Sequence, residues 1–187
     1  MQLLLSFTPW VFFWILLKLH KSEPAALAGF LSILALVIWR RLKGRSFKAL
    51  EFLTLCYFLF LVIMSFSTDL EQYRRWINLW SSSLLVGLAL VSFIIGKPFT
   101  LPYAREMTPR ENWNDWIFIH LNYVISWVWL AIFTVFLVLA IGRVSGIILP
   151  RVLDLAIMLS GIIAGLKFTL WYAQRAGIIP LKKAVQN

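Results

Sequence analysis

Six apolar runs alternate with short polar connections along this chain, at approximately residues 3–19, 25–39, 49–66, 76–95, 117–141 and 152–173. Crossing about 30 Å of hydrocarbon takes roughly 20 helical residues, with a working range near 17–25. The last four runs meet that length. The second is short, and the first two could instead form a re-entrant hairpin. The connection Lys18-Leu19-His20-Lys21-Ser22-Glu23-Pro24 argues for two true spans joined by a tight turn, because a re-entrant hairpin would carry its charges into the bilayer. The pattern therefore predicts an all-α, polytopic membrane protein, one transmembrane domain over residues 1–187 with six helices.

Helix start signals sharpen the boundaries. Thr68-Asp69-Leu70-Glu71 fits a capping box ahead of the fourth span. Thr108-Pro109-Arg110-Glu111 fits it better, with Thr as N-cap, Pro at the first helical position and Glu at the third. From Pro109 a helix could run unbroken to Ile141, 33 residues or about 50 Å. Its first turns, with Trp113 and Trp116, would lie at the interface. Leu3–Leu17 has the length of a signal-peptide core, but no basic residue precedes it and no small-x-small site follows, so it reads as a retained helix.

Composition reinforces the pattern. Apolar residues make up 61% of the chain and ten are Trp, with a mean hydropathy of +0.83. An ordinary soluble domain holds roughly 45–50% apolar residues, and Trp favours membrane interfaces. The net charge of +10 does not point to nucleic acid, because the cations cluster between apolar runs, where they orient a membrane protein and meet anionic lipid. Eleven Lys and Arg fall on the side of the second and fourth loops and the tail, against six on the other. The positive-inside rule then puts both termini and the loop 96–116 in the cytoplasm.

Cys56 is the only cysteine, so no intrachain disulfide forms, and it reads as a small packing residue. His20 and His120 fall near helix ends on opposite sides, unlike a buried pair of haem ligands. No HExxH, Walker A or GxSxG motif and no paired Cys occurs, so the sequence offers no catalytic residue, metal ligand or cofactor site.

Polar residues at membrane depth are the remaining candidates. Lys167 either snorkels to the cytoplasmic interface or pairs with Glu51, which enters the membrane from the same side. Ser160, Lys167 and Gln174 recur every seven residues and would share an inward face. Asp154 meets the positive end of the last helix dipole, or serves proton or cation coupling. Gly161 and Gly165 form a GxxxG suited to internal packing or to dimerisation. Pro9 removes a backbone donor inside the first helix. Glu111, Asp115, Asn122 and Ser126 fall in one sector at 100° per residue. That stripe either caps and bonds neighbouring helices or opens a polar entrance between them.

The loop 96–116 holds three of the seven prolines and three of the eight acids. Pro98 and Pro102 each disfavour helix at the preceding residue, so Gly96–Pro102 should be extended and rigid. Lys97, Tyr103, Arg105 and Glu106 are its candidate contact residues.

Phe7-Thr8-Pro9-Trp10-Val11-Phe12-Phe13 resembles the F-x-P-x-V-F-F opening of the intracellular septation protein A family. Gly96-Lys97-Pro98 and Leu121-Asn122 are similar to the same family, and the segment Pro98–Glu106 resembles a motif of related bacterial membrane proteins. The chain departs from the family in its longer fourth loop and its tail. The resemblance implies a bacterial inner-membrane protein tied to envelope maintenance or septation, non-enzymatic, acting through lipid or division-protein partners. A small oligomeric transporter or channel, using Asp154, Glu51–Lys167 or the Asn122 stripe, is the other reading.

Overall fold

The computed structural model describes residues 2–19, 21–147 and 149–175; His20 and the tail cations Lys182 and Lys183 lie outside them. Among the described residues the structure is all-helical. Helices α1 (Gln2–Lys18), α2 (Ser22–Leu42), α3 (Ala49–Ser65), α4 (Arg74–Ile94), α6 (Trp116–Val144) and α7 (Arg151–Arg175) correspond to the six apolar runs, and a short α5 (Leu101–Arg105) lies in the fourth loop. The long helices run up and down. α1 packs on α2, α2 on α3, α3 on α4, α4 on α6, α6 on α7, and α7 returns to α1.

α1 is the hub of this circuit. Phe7, Trp10, Phe13, Trp14 and Leu17 are all buried, and their partners come from several helices. Phe7 stacks on Trp129 of α6 at 4.6 Å, Trp10 on Tyr57 of α3 at 5.4 Å, and Trp14 meets Phe136 of α6 edge-on. A buried indole N–H needs an acceptor. Trp10 donates to Thr54 Oγ1 at 3.0 Å and Trp129 to Thr169 Oγ1 at 3.1 Å. Tyr57 donates to the Ile77 carbonyl of α4 at 2.9 Å. Each bond ties two helices where lipid could offer no partner.

The outer surface carries the opposite pattern. Leu31, Phe52, Ile63, Trp127, Val138 and Ile163 are among many large apolar side chains left exposed, a distribution that suits lipid rather than water. Cys56 is on this surface, not packed inside, because its neighbours Tyr57 and Phe58 take the inward positions.

Close approaches fix two interfaces. A Cβ on Gly161 would sit 3.0 Å from the Phe136 ring and one on Gly165 2.8 Å from Ile132, so the GxxxG packs α7 on α6 within the chain. Gly29 is tighter: a Cβ there would lie 2.5 Å from the ring of the fully buried Phe58.

The start signals and the loop need correction. α4 begins at Arg74, and Asp69 accepts the Glu71 amide in a turn instead of capping a helix. Thr108 does not cap either; its hydroxyl donates to the Ala104 carbonyl. Residues Arg110–Asn112 make one 3-10 turn, and α6 starts at Trp116 under Asp115, which accepts the Ile117 amide. A helix unbroken from Pro109 therefore does not form, because Asp115 is the better cap. The segment after Gly96 is also not extended. Pro102 sits in the first turn of α5, the one helical location where its missing N–H costs nothing.

Replacing Gly29 with Ala should lower stability by about 1–3 kcal/mol, the usual range for overpacking a filled core. Gly87→Ala, which meets nothing within 4 Å, should be neutral or slightly stabilising. Thermal melting of the purified protein in detergent measures both, and Phe58→Leu should restore part of the Gly29→Ala loss.

Candidate functional site

Two ionic clusters, one at each end of the bundle, gather the buried charged residues Lys18, Arg40, Lys48, Glu51 and Asp154. At the first end, Arg40 at the end of α2 is 1% exposed and Glu51 in the first turn of α3 is fully buried. Arg40 Nε lies 3.1 Å from Glu51 Oε1. Ser6 of α1 donates to the same oxygen at 3.1 Å and accepts from Arg40 Nη2 at 3.3 Å. Glu51 Oε2 accepts the Lys48 amide, so this carboxylate also caps α3.

The fourth loop closes the cluster from outside. Glu106 bridges Arg40 Nη1 at 3.5 Å and Lys48 Nζ at 2.5 Å, and its side chain keeps 19% accessibility. Both cations face the ring of Tyr103, at 5.6 Å for Arg40 and 4.8 Å for Lys48. Burial and the nearby Glu51 carboxylate push the Tyr103 phenol above its ordinary pKa, so it stays neutral and offers its face to the cations. Burial pulls the Lys48 ammonium below the usual lysine range, while Glu106 holds it up. Two carboxylates and two cations make the cluster neutral, and it joins α1, α2, α3 and α5.

The rest of the loop is folded on itself. Arg105 and Arg110 lie over the Trp113 ring at 5.4 and 5.7 Å, and Trp113 Nε1 donates to the Thr108 carbonyl. Thr100 Oγ1 reaches the Asn122 carbonyl, Asn122 Oδ1 and Ser126 Oγ at 3.1, 3.2 and 2.9 Å. Asn122 Nδ2 donates to the Phe118 carbonyl. The inner half of the predicted polar stripe is thus filled by Thr100 rather than opening to a cavity, while Glu111 and Asp115 stay exposed. Lys97 is exposed, beyond the left-handed Gly96 that ends α4.

At the second end, Asp154 in the first turn of α7 is buried and bridges Lys18 of α1 and Arg143 of α6. With Trp14, Asn78, Ser82 and Met158 these side chains line a cavity of about 20 Å³, room for one water molecule. Nearby, Glu71 accepts from Ser22 at the start of α2 and pairs with Arg74 at 3.2 Å.

The predicted Glu51–Lys167 pair does not form. Ser160, Lys167 and Gln174 are all exposed, because Gly161 and Gly165 turn the opposite side of α7 toward α6. The run pattern alone does not mark Arg40, Lys48, Ser6, Lys18 or Arg143 as partners. A signal existed for the first two: a hairpin sets the last turn of α2 beside the first turn of α3, and Glu51 has no nearer source of cations. Among the described residues no three His, Cys, Asp or Glu side chains come together as metal ligands.

Fold and site together define a helical protein with the equipment of a multi-pass membrane protein: α2, α4, α6 and Val152–Arg175 of α7 are long and apolar enough to cross a membrane, while α1 and α3 are shorter. No protein-family model, curated protein or solved structure matches the chain.

Removing one partner of the Arg40–Glu51 pair should cost about 3–5 kcal/mol, since it strands a buried charge. Glu51→Gln and Arg40→Met should each melt well below the parent, and the Arg40→Met/Glu51→Leu double variant should melt higher than either. Lys167→Met should leave the melting temperature unchanged.

Proposed function

We propose that this chain is a non-enzymatic, six-span protein of a bacterial inner membrane that serves envelope maintenance or septation by presenting a fixed cytoplasmic face to protein or lipid partners. The observation that carries this reading is the seating of the fourth loop: Glu106 and Tyr103 hold it on Arg40 and Lys48. A loop held at so many points keeps one surface, and a constant surface is what a docking face requires. Pro102, Met107 and Arg110 lie exposed on it. The excess of Lys and Arg on this side of the bundle supports its cytoplasmic placement.

Two measurements test the proposal. In a Cys56→Ser background, Lys97→Cys should react with a membrane-impermeant maleimide only after the cells are opened; labelling of intact cells would reverse the orientation. A photo-crosslinker at Met107 should capture an envelope or division protein, and Arg110→Glu should abolish the adduct. Cells that divide normally without the chain, with no adduct formed, would overturn the docking role.

The small polar cavity around Asp154 favours a second reading, a transporter coupled to a proton or cation. Flux into liposomes that is lost in Asp154→Asn would support it over the docking role.

A further inference from the structure

On the lipid-facing side of α1 and α2, Leu5, Thr8, Ser32, Leu36 and Trp39 line an open groove of about 270 Å³, close to the lower end of the roughly 300–1,000 Å³ typical of ligand pockets. Ser32, Leu36 and Trp39 share one face of α2 and rise about 10 Å along it, so the groove runs parallel to a lipid chain and ends at an interfacial indole. Directly beyond it, α2 stops in a Schellman turn. Gly44 is left-handed, the Gly44 amide bonds the Arg41 carbonyl, and the Arg45 amide bonds the Arg40 carbonyl. This turn folds Arg45 back, so that its guanidinium lies 5.4 Å over the Trp39 ring. Arg45 Nη1 is shielded from solvent and has no hydrogen-bond partner.

Charge completes the site. Arg40 and Lys48 are spent on Glu51 and Glu106, whereas Arg41, Lys43 and Arg45 pair with none of the described carboxylates. The Schellman bonds also satisfy α2 carbonyls that would otherwise repel an anion. An apolar channel below an aromatic rim and the two uncompensated cations on its side of the helix, Lys43 and Arg45, match one chemistry. We propose that this groove binds an anionic glycerophospholipid, its acyl chain along Leu36 and Trp39 and its phosphate on Arg45 with Lys43. The proposal does not depend on the envelope role; it requires only that this face meet a bilayer.

Native mass spectrometry of the full chain, released from detergent with phosphatidylglycerol or phosphatidylcholine present, tests it. Phosphatidylglycerol should be retained preferentially. Arg45→Gln should weaken that retention about fivefold, the effect of one interfacial cation, and Thr8→Trp should block it by filling the groove. Both positions are at least partly exposed, and melting checks that the variants fold. Glycerol phosphate should not displace the lipid. Equal retention of the two lipids, indifference to Arg45→Gln, displacement by glycerol phosphate, or a second copy of the chain occupying the face would each overturn the proposal.

Discussion

A charge buried in a bilayer protein must find an opposite charge, and this bundle is arranged around two places where that happens. The Arg40–Glu51 pair and the Asp154 bridge lie at opposite ends of the helices. A buried ion pair adds little net stability over a hydrophobic substitute, but breaking it is costly, so it penalises every alternative arrangement. The two clusters therefore act on helix register. Arg40 and Glu51 set α2 against α3, with Ser6 drawing in α1. Lys18, Arg143 and Asp154 set α1, α6 and α7 against one another. Between these ends the packing is aromatic, centred on Trp10 and Phe58, and the indole and phenol donors of Trp10, Trp129 and Tyr57 are satisfied across helix boundaries.

The loop between α4 and α6 belongs to this arrangement. Glu106 is the carboxylate that balances the second cation of the first cluster, and Tyr103 covers both cations. Thr100 fills the polar notch at Asn122 and Ser126. The loop is held by charge at one point and by hydrogen bonds at another, and these contacts fix the surface it offers outward. The phospholipid groove shares the same corner, since Arg40 and Arg45 belong to consecutive turns of one chain reversal.

Run length alone located the long helices to within a few residues, because apolar runs of this size have few ways to satisfy their backbone. The inward face of each helix was harder. The seven-residue spacing of Ser160, Lys167 and Gln174 suggests an inward face, yet Gly161 and Gly165 mark the packed side of α7, and residue 167 lies about 200° round from residue 165. Glu51 at membrane depth calls for a cation, and that cation comes from Arg40 in the adjacent hairpin rather than from Lys167 on a distant helix. The clasp of Glu106 on Lys48 was not legible, since it joins residues 58 apart through a loop whose path is set by α5.

Glu106 clasps the fourth loop to the bundle through Arg40 and Lys48. Hydrogen-exchange mass spectrometry on the parent and on Glu106→Gln tests it most directly. Glu106→Gln should speed exchange only at the amides of Leu101–Arg105 and the neighbouring turn, with α7 unchanged. Equal protection of the loop in the two proteins, or a uniform loss across all helices, would contradict it.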